Sequence, residues 1–285
     1  MRIAITGASG QLGRQVIEAL AKQTDLNNIV ALVRHPEKET VLKEKGVEVR
    51  LFDYNHTPQQ LAEQLQDIDK ILLISSSEVG KRIQQHKNVI DAVKQTNIKQ
   101  MAYTSILNAD TSPLALAKEH VETEKFLKTL SIPVTLLRNG WYSENYAMGL
   151  KQALEIGTLF GATHHGKISS ASRLDYATAA AIVLSQHGHE NKTYELAGDH
   201  SYTLDDVAVW ASEYGKKELV YQDLSEADYQ KKLVDVGVPD AFASILADSD
   251  ENVAKGGLYS ESKDLHHLIG RETTDMKETI KLFLS

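Results

Sequence analysis

The sequence predicts an α/β protein: a doubly wound parallel sheet joined to a smaller, mainly helical C-terminal lobe. Three observations carry this reading. A short β-branched run ends at once in a glycine-rich turn that opens a helix; the same strand-then-helix rhythm repeats through the first half; and the rhythm stops near residue 140.

Strands are expected at 2–6 (RIAIT), 28–34 (NIVALVR), 47–52 (VEVRLF), 70–75 (KILLIS), 100–105 (QMAYTS) and 134–138 (VTLLR), each a short apolar run. Helical patterns lie between them at 12–23, 37–45, 58–66, 81–96 and 114–130. Strands and helices in this alternation give a Rossmann-type sheet whose ligand crevice opens at the carboxyl ends of the strands. Beyond it, helical patterns cover 141–155, 175–187, 204–214, 225–236 and 240–254, with extended pieces at 167–172, 193–197 and 218–223. We expect 1–140 to form the sheet domain, with 167–197 returning to it, and 141–166 with 198–285 to form the smaller lobe.

Composition narrows the function classes. The 285 residues are 42% hydrophobic and 25% charged, an ordinary globular balance. Lys and Arg total 31 against 39 Asp and Glu, a net charge of −8, so no basic field exists to hold nucleic acid or an anionic membrane. Cysteine is absent, which removes disulfides, thiolate metal sites and a Cys nucleophile; redox chemistry needs a borrowed cofactor. The first apolar run is broken by Gly7, Gly10 and Gly13, unlike a signal peptide, and no run approaches the roughly 18 apolar residues of a membrane span. A cytoplasmic protein is expected.

The first turn reads Thr6-Gly7-Ala8-Ser9-Gly10-Gln11-Leu12-Gly13 and enters a helix carrying Val16, Ile17 and Leu20. Gly7 permits the tight turn, Gly10 lets backbone approach a pyrophosphate, and Gly13 lets the helix pack on the strand. The helix N-terminus then faces the anion. Placed between a strand and a helix, this pattern reads as dinucleotide binding. The second strand ends Val33-Arg34-His35 with Lys38 a turn on, where an NAD site usually ends in an acid. Arg34 favours NADP, because a guanidinium forks onto the 2′-phosphate. Asp53, with Tyr54 after the third strand, either accepts from the adenine amino group or caps the helix near Thr57.

Together with Leu72-Leu73-Ile74-Ser75-Ser76-Ser77, Tyr103-Thr104-Ser105 and Leu137-Arg138-Asn139-Gly140-Trp141-Tyr142, these residues resemble the NmrA-like atypical short-chain dehydrogenases. Within that group the chain is similar, nearly end to end, to the type 2 NAD(P)H:quinone oxidoreductases, a branch related to triphenylmethane reductase. The segments Ser75 to Gly80, Ala109 to Leu114, Arg138 to Tyr146, Leu246 to Asp250 and Lys255-Gly256-Gly257 carry most of that likeness. The resemblance implies NADPH, a quinone acceptor, and neither flavin nor metal. It also implies cofactor contacts at Gly7, Ser9, Gly10, Gln11, Leu12, Gly13, Arg34, Asp53, Ser75, Ser76, Ser77 and Lys81. For the quinone it points to Asn145, with Asn139 as second choice. A homodimer is left open as a further partner state.

Many members place a lysine four residues before a glutamate after strand five; here His120 stands before Glu124. The Tyr-x-x-x-Lys pair of ordinary short-chain dehydrogenases occurs only at Tyr259–Lys263, far past the sheet, and reads as coincidence. Without that acid, ketone reduction is disfavoured. A hydroquinone anion is a phenolate, with a pKa nearer the roughly 10 of tyrosine, and solvent can protonate it. Placing a flat acceptor against nicotinamide is then most of the task.

Trp141, Tyr142, Tyr146 and Met148 are candidates to sandwich such a ring, with Asn145 donating to its oxygen; the alternative is that the aromatics join the lobes and Asn145 caps a helix. Tyr142 and Asn145 are the expected catalytic residues. His120 and Glu124 share a helix face, either as a solvated salt bridge or as a proton-donating pair. His164-His165, His187-Gly188-His189 and His266-His267 read as surface turns without ordered acid partners, not metal ligands. Asp175 is expected to cap the Ala-rich helix after it, and Asp248-Ser249-Asp250-Glu251 to be a solvated turn. The function expected is flavin-free quinone reduction by NADPH. The alternatives are a non-catalytic NADP-binding sensor that docks a regulatory protein, or a reductase of dyes, azo compounds or enals.

Overall fold

The computed structural model describes residues 1–285. Its first half alternates β1 (Ile3–Thr6), α1 (Gln11–Leu20), β2 (Ile29–Val33), α2 (Thr40–Glu44), β3 (Glu48–Leu51), α3 (Pro58–Glu63), β4 (Lys70–Leu73), α4 (Arg82–Val93), β5 (Gln100–Ile106), α5 (Ala117–Leu127) and β6 (Val134–Asn139). The sheet order is β3-β2-β1-β4-β5-β6-β8, with β8 at Thr193–Leu196, and β1 to β6 pair in parallel. The order reverses between β1 and β4, the switch point where such sheets bind ligands.

Both faces of the sheet are covered, which is why β1, β2, β4 and β5 are buried along their whole length. On one side Ala4, Val30, Leu32, Ile71, Leu73, Met101 and Tyr103 pack with Leu61 and Leu65 and with Val89, Ile90 and Val93 of α4. Helix α1 packs along α8 (Arg173–Ser185), whose run of buried alanines permits a close approach. Asp175 lies inside the first turn of α8, fully buried, and not at the cap expected of it.

The chain divides into two units, 1–106 with 119–139 and 173–194, and 107–118 with 140–172 and 195–285. The partition differs from the sequence reading at 107–118, Gly140, 167–172 and 195–197, which group with the second unit. Within that unit, α6 (Ser143–Ala147) and α7 (Leu150–Ile156) replace the single helix expected over 141–155; Met148 and Gly149 interrupt it. Glycine mid-helix costs about 1 kcal/mol relative to alanine, so a break there is inexpensive. Strands β7 (Thr158–Gly161) and β9 (Val220–Asp223) form a two-stranded parallel sheet. Residues 167–172 form only isolated bridges, Ile168 to Tyr202 and Ala171 to Tyr142. The unit is completed by α9 (Leu204–Gly215), α10 (Glu226–Asp235), α11 (Asp240–Glu251), α12 (Asp264–Ile269) and α13 (Met276–Leu284); β7, α12 and α13 had no sequence expectation.

Candidate cofactor and substrate site

At the end of β1, Gly7 takes a left-handed conformation (φ +59°), which a side chain would strain. Its neighbour Thr6 receives hydrogen bonds from Ile74 N (2.9 Å) and the Tyr54 hydroxyl (2.5 Å), tying the turn to the end of β4. The Gly10 amide donates to Gly7 O at 2.9 Å. A Cβ on Gly13 would fall 2.4 Å from Gly7 O and 2.7 Å from Ala8 Cα, so only glycine admits this packing of helix on strand. Gly10 is also the N-cap of α1, and no side chain satisfies the helix there. Ser9, Gly10 and Gln11 are exposed. An N-terminus uncapped by side chains and reachable from solvent fits a pyrophosphate.

Arg34 follows β2 with its side chain 58% exposed, and its Nη1 lies 3.0 Å from Glu78 Oε1. Lys81 Nζ lies 3.7 Å from the other oxygen of Glu78. The first unit thus brings Arg34 and Lys81 together around one carboxylate. Asp53 closes an Asx turn, accepting from Asn55 N and Nδ2, both at 2.9 Å. Of the two roles expected for it, helix capping belongs instead to Thr57, which forms a capping box with Gln60.

The serines after β4 divide by exposure. Ser75 N donates to Thr104 Oγ1 (2.9 Å) and Ser77 is exposed. Ser76 is buried: its amide donates to His86 Nε2 (2.9 Å) and its hydroxyl to Gln85 Oε1 (2.5 Å). Its side chain therefore shapes the loop and is not open to the ribose as expected. Burial, with Arg82 nearby, pushes His86 down to about 3, so the ring is neutral. With Nε2 accepting, its proton sits on Nδ1 and goes to Thr123 Oγ1 at 2.9 Å.

His120 and Glu124 are not a solvated salt bridge, and each is bonded to other groups. Both are buried. His120 Nδ1 meets the Tyr103 hydroxyl at 2.8 Å, and burial together with Arg82 holds the imidazole well below its usual pKa. Glu124 receives Arg138 Nε at 2.9 Å, Arg138 Nη2 at 2.6 Å and the Ser105 hydroxyl at 2.6 Å. At the end of β6, the Asn139 side-chain oxygen is buried without a hydrogen-bond partner.

In the second unit Trp141, Tyr142, Asn145 and Tyr146 are half-buried and Met148 is exposed. The Asn145 amide donates to Tyr142 O at 3.0 Å across the start of α6. The Tyr146 hydroxyl is committed to Asp250 Oδ1 at 3.0 Å. Asp250 also accepts from Ala162 N (3.2 Å), and burial raises its carboxyl to about 7. The run around it, expected to be a solvated turn, is the end of α11, with Ser249 and Asp250 buried.

The NmrA-like family model matches residues 1–281. The chain belongs to the NmrA-like family. It is 53% identical over 278 residues to quinone oxidoreductase 2 of Escherichia coli strain K12, covering 98% of this chain and 97% of that one. The crystal structure of NADPH-dependent quinone oxidoreductase 2 from that species, complexed with NADPH, superposes with a TM-score of 0.96 at 52% identity, over 99% of this chain and all of the other. Triphenylmethane reductase of Citrobacter sp., complexed with NADP(H), superposes at 0.95 with 39% identity and 99% of each chain covered.

Other motifs of this NmrA-like chain serve structure. The Tyr259 hydroxyl donates to Glu261 (2.6 Å) while Lys263 binds Asp199 (2.9 Å), so their spacing has no catalytic sense. His164 and His165 do lie on an exposed left-handed turn, but acid partners reach them from afar: Asp223 and Glu251 grip His164, each at 2.8 Å, and Asp205 grips His165 at 2.7 Å. Those hydrogen bonds raise the affinity of both rings for a proton. No group of three or more His, Cys, Asp or Glu side chains is placed to hold a metal ion. Sequence reasoning gave Glu78 no role of its own and took Asp250 for a solvated residue. Arg138 carried a signal of its own, a charge within a buried strand, which calls for a partner.

Proposed function

We propose that this chain reduces small quinones with NADPH. NADPH supplies the hydride when bound. The glycine turn and the start of α1 receive its pyrophosphate, Arg34 its 2′-phosphate, and Ser75 with Ser77 flank the ribose. Tyr142 and Asn145 contact the quinone, the amide of Asn145 donating to an oxygen as negative charge develops there.

One observation carries the acceptor class. On α5, where a lysine would assist proton donation, stands His120, neutral and bonded to a buried Tyr103 whose pKa burial raises. Both side chains are buried and bonded to each other, so neither presents a proton to an alkoxide. An acceptor whose product is a stable phenolate suits such residues.

The test is NADPH oxidation by purified protein, with benzoquinones, naphthoquinones and a triphenylmethane dye against a blank, repeated with NADH. Rapid quinone-dependent oxidation that prefers NADPH is expected. Tight NADPH binding with every acceptor untouched would refute the reading.

A further inference from the structure

Glu78 stands where the 2′-phosphate is expected to bind, and it is itself an anion. Its two carboxylate oxygens face Arg34 at 3.0 Å and Lys81 at 3.7 Å, both of the cations assigned to the cofactor there. Nor is this a loose surface side chain meeting a passing partner. The Glu78 amide donates to the buried Ser76 hydroxyl (3.1 Å), and the Lys81 amide donates to Glu78 O (3.0 Å). On either side the loop is anchored to buried groups. Arg82 Nε donates to Ser76 O (2.6 Å), while Glu119 accepts from Gly80 N (2.9 Å) and from Arg82 Nη1 (3.1 Å). The backbone therefore holds Glu78 within reach of Arg34.

That placement treats the two nicotinamide cofactors differently. A 2′-phosphate carries close to two negative charges at neutral pH and must displace the carboxylate from the guanidinium or bind beside a like charge. A 2′-hydroxyl is neutral and can donate to the carboxylate without disturbing it. We infer that Glu78 is a specificity-determining residue, an internal competitor for Arg34 that weakens NADPH binding selectively and so narrows the preference over NADH. The inference rests on the proposed assignment of Arg34 to the 2′-phosphate.

The experiment is titration calorimetry with NADPH, NADH and adenosine 2′,5′-bisphosphate on the unmodified protein, Glu78→Gln, Arg34→Gln and the double variant, without quinone. Glu78→Gln should tighten NADPH and the bisphosphate about two- to fivefold, the span of an exposed ion pair, and leave NADH unchanged or weaker. The gain should vanish in the Arg34→Gln background. Unchanged or weaker NADPH binding in Glu78→Gln overturns the inference, because Glu78 then orients Arg34 instead of competing for it. So does an equal gain for NADH, or one that persists without Arg34. Glu78→Asp, which keeps the charge on a shorter stem, should gain less than Glu78→Gln; an equal gain would implicate reach and not charge, and overturns it too. Failure of the unmodified protein to bind NADPH would overturn the proposed function along with this inference, whereas normal binding with no Glu78 effect overturns this inference alone.

Discussion

Arg138 grips Glu124 through two nitrogens, at 2.9 and 2.6 Å, with 7% and 4% of the two residues exposed. An ion pair this deep is held by geometry, and losing either half strands the other charge. Arg138→Met and Glu124→Gln should each lower the unfolding free energy by about 3–5 kcal/mol. Urea denaturation of both and of the double variant tests this. The double loss should fall well short of the sum; additive losses would mean that the two side chains act independently.

Asp250 makes stability depend on pH in a stated direction. Its folded carboxyl, raised to about 7 by burial, keeps a proton that the unfolded chain releases near 4. The folded state therefore binds the extra proton between those values, and this residue's contribution to stability declines as pH climbs through that window, by up to about 4 kcal/mol. Asp250→Asn should remove the decline, so its advantage in melting temperature should grow from pH 5 to pH 8. A constant difference across that range would show that Asp250 does not titrate there.

Arg34→Glu should weaken NADPH about ten- to a hundredfold, the worth of a charge-assisted hydrogen bond, with NADH nearly unaffected. Equal losses with both cofactors would remove the 2′-phosphate assignment.

Asn145→Ala should cut kcat with quinone about tenfold while the dissociation constant of NADPH stays within about twofold, because one donor is lost from the acceptor alone. An unchanged kcat would return Asn145 to a structural role.

The six strands from β1 to β6 and the glycine turn were legible because their signals are local: apolar runs, and glycines whose spacing fixes a turn and a helix start. Beyond residue 140 the determinants lie far apart in the chain. Tyr146 meets Asp250, and His164 meets Asp223 and Glu251, so a run of acids that looks solvated is partly buried, and histidines that look unaccompanied have carboxylates on two sides. Within the site, Gly7, Gly13 and Arg34 stand where their neighbours in sequence predict. Ser76 and Glu124 have the same local signals as accessible residues, and their burial is decided by His86, Gln85 and Arg138 on other elements.

The loop from Ser76 to Arg82 is held from beneath by hydrogen bonds and carries Glu78 and Lys81 at its outer side. Its anchors are the buried side chains of Ser76, His86 and Arg82 and the half-buried Glu119, whereas the atoms that meet Arg34 end a half-buried side chain. On the proposed assignment of Arg34 to the 2′-phosphate, redesign of coenzyme preference would proceed by exchanging the groups at positions 34, 78 and 81 while the supporting framework is left intact. A library that randomised the anchors as well would spend most of its members on proteins with a misshapen loop.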